Sequence, residues 1–259
     1  MIDEFSEYYE ATEPGRRERA HAWATAIWLQ DVDRLKPSSY LIETAKRNIE
    51  GEITQEQARQ IVDAYYESKD SHDVPPDTKE ADKVAARMIG VINSPTFTFS
   101  PTYYLGLHQR IFEGVLSNAG EMRTVELMKR EWVLNGDSVQ YGPSFLIEKS
   151  LKDAFAEERR FRYKGLSEDA FVMHFASFIS AVWQIHPFRE GNGRATRIWL
   201  DLMLRRELGQ SLQLRYTPEL QFQGDNSILK GAQVLEILRN VEYAEPENTG
   251  ESGGEETGG

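Results

Sequence analysis

Gln184-Ile185-His186-Pro187-Phe188-Arg189-Glu190-Gly191-Asn192-Gly193-Arg194-Ala195-Thr196-Arg197 is the stretch on which the reading of this chain turns. Before it, Phe171, Phe175, Phe178, Ile179, Val182 and Trp183 recur at helical spacing. Pro187 and Gly191 stop that pattern, and Ile198, Leu200, Leu202, Met203 and Leu204 restart it. The spacing predicts helix, tight loop, helix. Two glycines flanking Asn192 let the backbone turn and approach a ligand closely, and a helix opening near Gly193 aims N–H groups and its positive dipole end at that ligand. The ligand expected is an anion. Arg194 and Arg197 lie three apart on the first turn, hence on one face, where planar guanidinium forks can grip phosphate oxygens. A triphosphate suits this arrangement, with Glu190 as an oxygen ligand for Mg2+, an ion that keeps several waters and shares one or two carboxylates with substrate phosphates. His186, at a helix end beside the loop, is the expected general base.

Those residues carry a resemblance. His186-Pro187-Phe188-Arg189-Glu190-Gly191-Asn192-Gly193-Arg194-Ala195-Thr196-Arg197 resembles the signature of the Fic family, His-x-Phe-x-(Asp/Glu)-Gly-Asn-Gly-x-x-Arg with an Arg after the second Gly, and every defining position is filled. The resemblance implies a mainly α-helical Fic fold with a short β-hairpin flap. The activity it implies is that of a protein adenylyltransferase, which moves AMP from ATP to a Ser, Thr or Tyr hydroxyl of a target protein. By the same resemblance His186 deprotonates the attacking hydroxyl, Phe188 anchors the loop, and Glu190 holds magnesium. Gly191, Asn192 and Gly193 cradle the phosphates, and Arg194 and Arg197 bind the β- and γ-phosphates. The alternatives are a nucleotide-binding regulatory module without turnover, against which an intact His186 argues, and an enzyme of the same fold using another nucleotide or phosphate donor.

Composition is that of a globular chain. The chain has 259 residues, 40% hydrophobic and 11% aromatic, enough for one full core with appendages, and no cysteine, which excludes disulfides and thiolate chemistry. No apolar run reaches the ~18 residues of a membrane span, and Met1 to Glu10 lack a basic, apolar leader, so a cytoplasmic location is expected. The net charge is −12, of which the tail from Ala244 to Gly259 contributes five glutamates, leaving −7 for the remainder. Neither part offers the basic surface of a nucleic-acid binder, so direct nucleic-acid binding is not expected. The expected partner is a protein target, an expectation compatible with self-modification and with homo-oligomers.

Upstream, Ala20, Trp23, Ala24, Ile27 and Trp28 predict a helix from Pro14 to Leu29. Leu41, Ala45 and Ile49 predict a second from Ser38 or Ser39 to Glu50, with Gly51 as its cap. Thr54 with Gln57 three on is a capping box for a third. These make a helical module over 1–70, whose second helix (about 39–50) resembles the inhibitory helix of Fic proteins, fused or supplied as a small antitoxin, with the motif (Ser/Thr)-x-x-x-Glu-(Gly/Asn). Glu50 and Gly51 match, whereas Lys46 stands at the Ser/Thr position, with Thr44 two residues earlier. Glu50 is thus the expected inhibitory residue, pairing with Arg197. Lys69 to Thr78, with Pro75-Pro76, reads as a surface connection to a catalytic core over 79–210. Within that core Glu80–Ile92, Pro101–Leu116, Phe145–Arg160 and Leu166–Ile185 are helical by pattern, and His108 and His174 read as core or half-buried histidines. Asn135-Gly136 between β-forming residues predicts a hairpin, with Gly120-x-x-Arg123-Thr124 leading into it. Fic proteins align a target segment on such a flap by strand addition, which makes Val139, Gln140 and Tyr141 the docking candidates. Residues 211–243 are expected to form a C-terminal extension with one last helix near Ile228–Val241, and 244–259 a disordered acidic tail.

Overall fold

Pro76–Ile92 buries side chains around most of its circumference, among them Ala81, Val84, Ala85, Ala86, Met88, Ile89, Val91 and Ile92, and a helix apolar on all sides belongs at the centre of a fold. The computed structural model describes residues 4–10, 12–68, 71–130 and 138–205. Its elements run α1 (Pro14–Val32), α2 (Ser39–Ile49), α3 (Gln55–Glu67), α4 (Pro76–Ile92), α5 (Pro101–Phe112), β1 (Met128–Arg130), β2 (Ser138–Gln140), α6 (Ile147–Arg160), α7 (Glu168–Ile185) and α8 (Asn192–Met203). α4 is that central helix: α1 and α3 pack on it from the N-terminal side, α5 and α8 from the other, and α6 and α7 close the bundle. The small residues Ala81, Ala85 and Ala86 leave room for those neighbours.

Local chemistry sets most boundaries. Ser38 caps α2 by accepting from Leu41 N–H, and Gly51 beyond its end takes φ +83°, open to glycine at little cost. Thr54 and Gln57 form the reciprocal capping box of α3. Three boundaries differ most from the pattern-based expectation: α1 runs on to Val32 rather than Leu29, α5 ends at Phe112 rather than Leu116, with Gly114 (φ +70°) turning the chain, and α4 begins at Pro76 rather than near Glu80, because proline is preorganised for the first helical position, where no N–H is needed. The expected surface connection is correspondingly shorter.

A single apolar core runs from Phe5 through Trp23, Leu41, Met88, Tyr104, Phe155 and Phe188 to Trp199 and Met203. Each fully buried side chain of this size is worth about 1.5–3 kcal/mol relative to exposure. Buried Asp82 fastens the N-terminal helices to α4: its carboxylate accepts from Ser38 N–H at 2.9 Å, from the Ser38 hydroxyl and from the Tyr66 hydroxyl at 2.7 Å. Burial pushes its pKa up against those bonds.

The strands pair antiparallel with Met128 opposite Gln140, Lys129 opposite Val139 and Arg130 opposite Ser138. Asn135-Gly136 lies outside the described residues. The C-terminal extension and acidic tail also lie outside the described residues.

Candidate active site

α7 ends at His186, which adopts the left-handed conformation (φ 49°, ψ 63°). For a residue with a Cβ this costs roughly 1–2 kcal/mol, so surrounding contacts must hold it. They do. Arg123 Nε donates to the His186 carbonyl at 2.8 Å, and the Arg123 N–H donates to the Pro187 carbonyl at 2.8 Å. The Tyr141 ring stacks on the His186 imidazole, with centroids 3.6 Å apart and planes 14° from parallel. His186 is 3% exposed beneath it.

From there the chain turns tightly into α8. Phe188 is buried against the ring of His108, centroids 3.7 Å apart. The Asn192 side chain closes the loop on itself, accepting from Phe188 N–H at 2.9 Å and donating to the Phe188 carbonyl at 2.7 Å. Asn192 therefore shapes the anion loop, and the candidate phosphate donors are the backbone N–H groups that a helix start leaves without intrahelical acceptors, here the first turn of α8. Gly191 (φ +72°) is the N-cap, and a Cβ there would lie 2.5 Å from the Phe112 ring, so only glycine fits.

His108 secures the loop from α5. Its Nδ1 accepts from Gly120 N–H at 2.9 Å and its Nε2 lies 3.0 Å from the Glu190 carbonyl, a pair satisfied by the neutral tautomer with the proton on Nε2. Burial, with Arg194 nearby, pulls its pKa down to about 4 despite the Glu190 carbonyl. With its carbonyl held this way, Glu190 keeps its side chain exposed. A lone exposed carboxylate at the loop fits magnesium shared with phosphates and water better than a protein-only cage, and no cluster of three or more metal-binding side chains exists among the described residues.

The two motif arginines differ. Arg197 folds back over Gly193, its Nη1 2.8 Å from where a Cβ of that glycine would stand, and its guanidinium lies 5.4 Å from the Trp183 ring centroid. Burial pulls its pKa down, and among the described residues no carboxylate pairs with it within 4 Å. Arg194 is occupied: Nη2 reaches Glu80 of α4 at 2.7 Å, Nε lies 2.8 Å from Asp33 just beyond α1, and Nη1 donates to Gln30 at 3.0 Å. Its guanidinium also sits 4.8 Å from the Phe112 centroid. The Glu50–Arg197 pair expected from the sequence is not formed. Glu50 caps the end of α2 and its carboxylate pairs with Arg16 in the first turns of α1, with the Tyr8 hydroxyl also bonded to it. A cation on the adjacent helix takes the charge.

Of the flap candidates, Tyr141 is buried over His186, whereas Gln140 is exposed and its carbonyl accepts from Gln184 Nε2 at 2.8 Å. Tyr141 N–H donates to the Leu127 carbonyl at 3.2 Å, so by the two-residue period of an antiparallel ladder Val139 also bonds inward to β1. The outward-facing amides of β2 belong to Ser138 and Gln140. Sequence reasoning did not single out Asp33, Glu80, Gln30 or the loop-holding role of His108, since nothing local marks such long-range partners. Arg123 carried one signal, its place in the run Gly120-x-x-Arg123.

Residues 98–204 match the model of the Fic/DOC family. A probable protein adenylyltransferase of Sinorhizobium fredii is 31% identical over 105 residues, 40% of this chain and 51% of that protein. The chain thus spans about half the length of this curated relative. Ribosome-binding factor A of Acetivibrio thermocellus is 43% identical over 51 residues, 18% of this chain and 42% of that protein. Among solved structures, a VirB-translocated effector of Bartonella tribocorum crystallised with bound AMPPNP aligns with a TM-score of 0.45 at 22% identity, covering 64% of this chain and 79% of that one.

Proposed function

We propose that the chain is a protein adenylyltransferase that transfers AMP from ATP to a Ser, Thr or Tyr hydroxyl of a target protein. One observation carries the reading: an imidazole fixed at the C-terminus of α7 stands one short loop before a helix start that offers backbone N–H groups and two arginines. The family match over 98–204 supports it, as does the likeness to a relative named an adenylyltransferase. The hydroxyl oxygen attacks the α-phosphorus in line and its proton passes to His186. The bond to the bridging oxygen breaks, and pyrophosphate leaves. The amides of Asn192 and Gly193 hold phosphate oxygens, Arg197 reaches the outermost phosphate, and Glu190 would hold magnesium, which supplies neutralisation of phosphate charge. Positioning and charge stabilisation give most of the rate, with about 10² to 10⁴ from the base.

The enzyme is restrained through Arg194 rather than by Glu50. Asp33, just beyond α1, and Glu80, on the central helix α4, engage the guanidinium that the β-phosphate needs. A tethered carboxylate competes at an effective concentration of about millimolar, so the nucleotide binds with its phosphates displaced. The test is labelling with two donors. ATP labelled at the α-phosphorus should mark protein and ATP labelled at the γ-phosphorus should not; γ-label on protein would make the enzyme a kinase of this fold, and no label with either, even after release of Arg194, would leave a binding module.

The match to ribosome-binding factor A favours a second reading, of partner rather than of chemistry: a ribosomal particle as docking platform. Co-sedimentation of the full chain with purified ribosomes tests it, and a chain that stays at the top of the gradient rules it out.

A further inference from the structure

Arg123 is 2% exposed, and its hydrogen bonds go to main-chain carbonyls. Nε donates to His186 at 2.8 Å, Nη2 to Ile185 at 3.3 Å and to Gly142, and Nη1 to Val125 at 2.7 Å; its own N–H donates to Pro187 at 2.8 Å. The nearest carboxylate, Glu126, stays 4.0 Å from Nη1 and gives its other oxygen to the N–H and hydroxyl of Ser144. Burial pulls the Arg123 pKa down without an ion pair close enough to offset it. A guanidinium buried this way, at a free-energy cost, is matched to a set of acceptors.

Those acceptors fall into two groups. Ile185 and His186 are the last carbonyls of α7, which a helix end leaves without intrahelical donors and which a cation there stabilises. Val125 and Gly142 flank the hairpin, one before β1 and one after β2. One planar group therefore ties both feet of the flap to the turn that carries the base. Two further bonds run alongside, Gly142 N–H to the Gln184 carbonyl at 2.9 Å and Gln184 Nε2 to the Gln140 carbonyl at 2.8 Å, and the Tyr141 stack lies between them.

We propose that Arg123 is the positioning residue of the transfer reaction. It makes the flap, which receives the target chain, and His186, which deprotonates the target hydroxyl, one rigid unit. The distance from docked backbone to base is then set without reference to the nucleotide. The inference rests on the adenylyltransferase reading for its chemistry, while the geometry it assigns can be measured without turnover. Lysine keeps the charge but presents a point with three donors instead of a planar fork, and cannot reach carbonyls spread around the edge of a guanidinium.

The experiment compares Arg123→Lys with Val62→Ala, a core truncation in α3 that lowers stability away from the site, both assayed well below their melting temperatures. Self-labelling by α-labelled ATP is followed as ATP is varied, and ATP affinity is measured by calorimetry. Arg123→Lys should lower kcat at least tenfold with KM and Kd for ATP within twofold of wild type, while Val62→Ala leaves kcat unchanged. In parallel, imidazole NMR signals, with the His186 peak assigned from its loss in His186→Ala, should show that peak moving in Arg123→Lys while those of His21, His72 and His174 stay. An unmoved His186 signal, or equal losses of kcat in the two variants, overturns the proposal. No labelling by either donor even after Arg194 is released from Asp33 and Glu80 would sink the adenylyltransferase reading instead, and the NMR comparison would still decide the role of Arg123.

Discussion

A histidine that accepts a backbone N–H on one ring nitrogen and faces a carbonyl with the other is satisfied only when neutral, and His108 is held that way between Gly120 and Glu190. Its folded pKa of about 4 lies below the ordinary 6.5, so between those values the unfolded chain binds a proton that the native protein refuses. The stabilising contribution is therefore full above pH ~6.5 and is lost as pH falls toward ~4, by up to about 3 kcal/mol. Guanidinium unfolding at pH 7 and pH 4.5 should show wild type losing more stability than His108→Gln by an amount of that order. Equal losses would mean that His108 titrates normally. At the proposed base, His186→Ala should abolish transfer and spare ATP binding, since in the proposed site the phosphates are held by α8 amides and arginines. Calorimetry showing affinity lost along with activity would remove the base assignment. The turn from α7 into α8 was legible because Pro187 and Gly191 interrupt an apolar helical period. The role of His108 was not: its apolar helical face marked it as buried, but its bond to Glu190 spans 82 residues of sequence.

Elements were read well where local chemistry ends them. Ser38, Thr54 with Gln57, and Gly51 are capping signals that act within a turn, and the helices they bound lie where expected. The hairpin was legible as a break in helical period, but register and facing are set by tertiary contacts with Gln184 and Arg123, which no turn signal encodes. That changes which residue tests docking. Val139 bonds inward, so Val139→Pro would damage the hairpin itself, whereas Ser138→Pro deletes an outward amide. Ser138→Pro should slow modification of a protein target several-fold with ATP affinity unchanged. Unaltered target kinetics would make the hairpin structural, without a docking role.

At the scale of the whole molecule, the N-terminal helices and the catalytic loop share one core, and their meeting point is Arg194. Its contacts to Gln30 and Glu80 cross 164 and 114 residues of sequence. A complete motif downstream of a helical module suggested restraint, and packing sets the ion pairs on which the proposed restraint rests: Arg16 on the neighbouring helix claims Glu50, and Asp33 and Glu80 claim Arg194. The account separates these sites. Glu50→Gly, which removes a half-exposed ion pair worth at most about 1 kcal/mol, should change the labelling rate less than twofold. Asp33→Asn combined with Glu80→Gln frees the fork and should raise it at least about tenfold, equivalent to ~1.4 kcal/mol of restraint. The most direct measurement is the initial rate of AMP incorporation from α-labelled ATP and magnesium into wild type, into the Asp33→Asn/Glu80→Gln variant, and into that variant carrying His186→Ala as well. The account predicts a low rate, a rate at least tenfold higher, and none; labelling that survives the loss of His186, or a double variant no faster than wild type and Glu50→Gly, would contradict it.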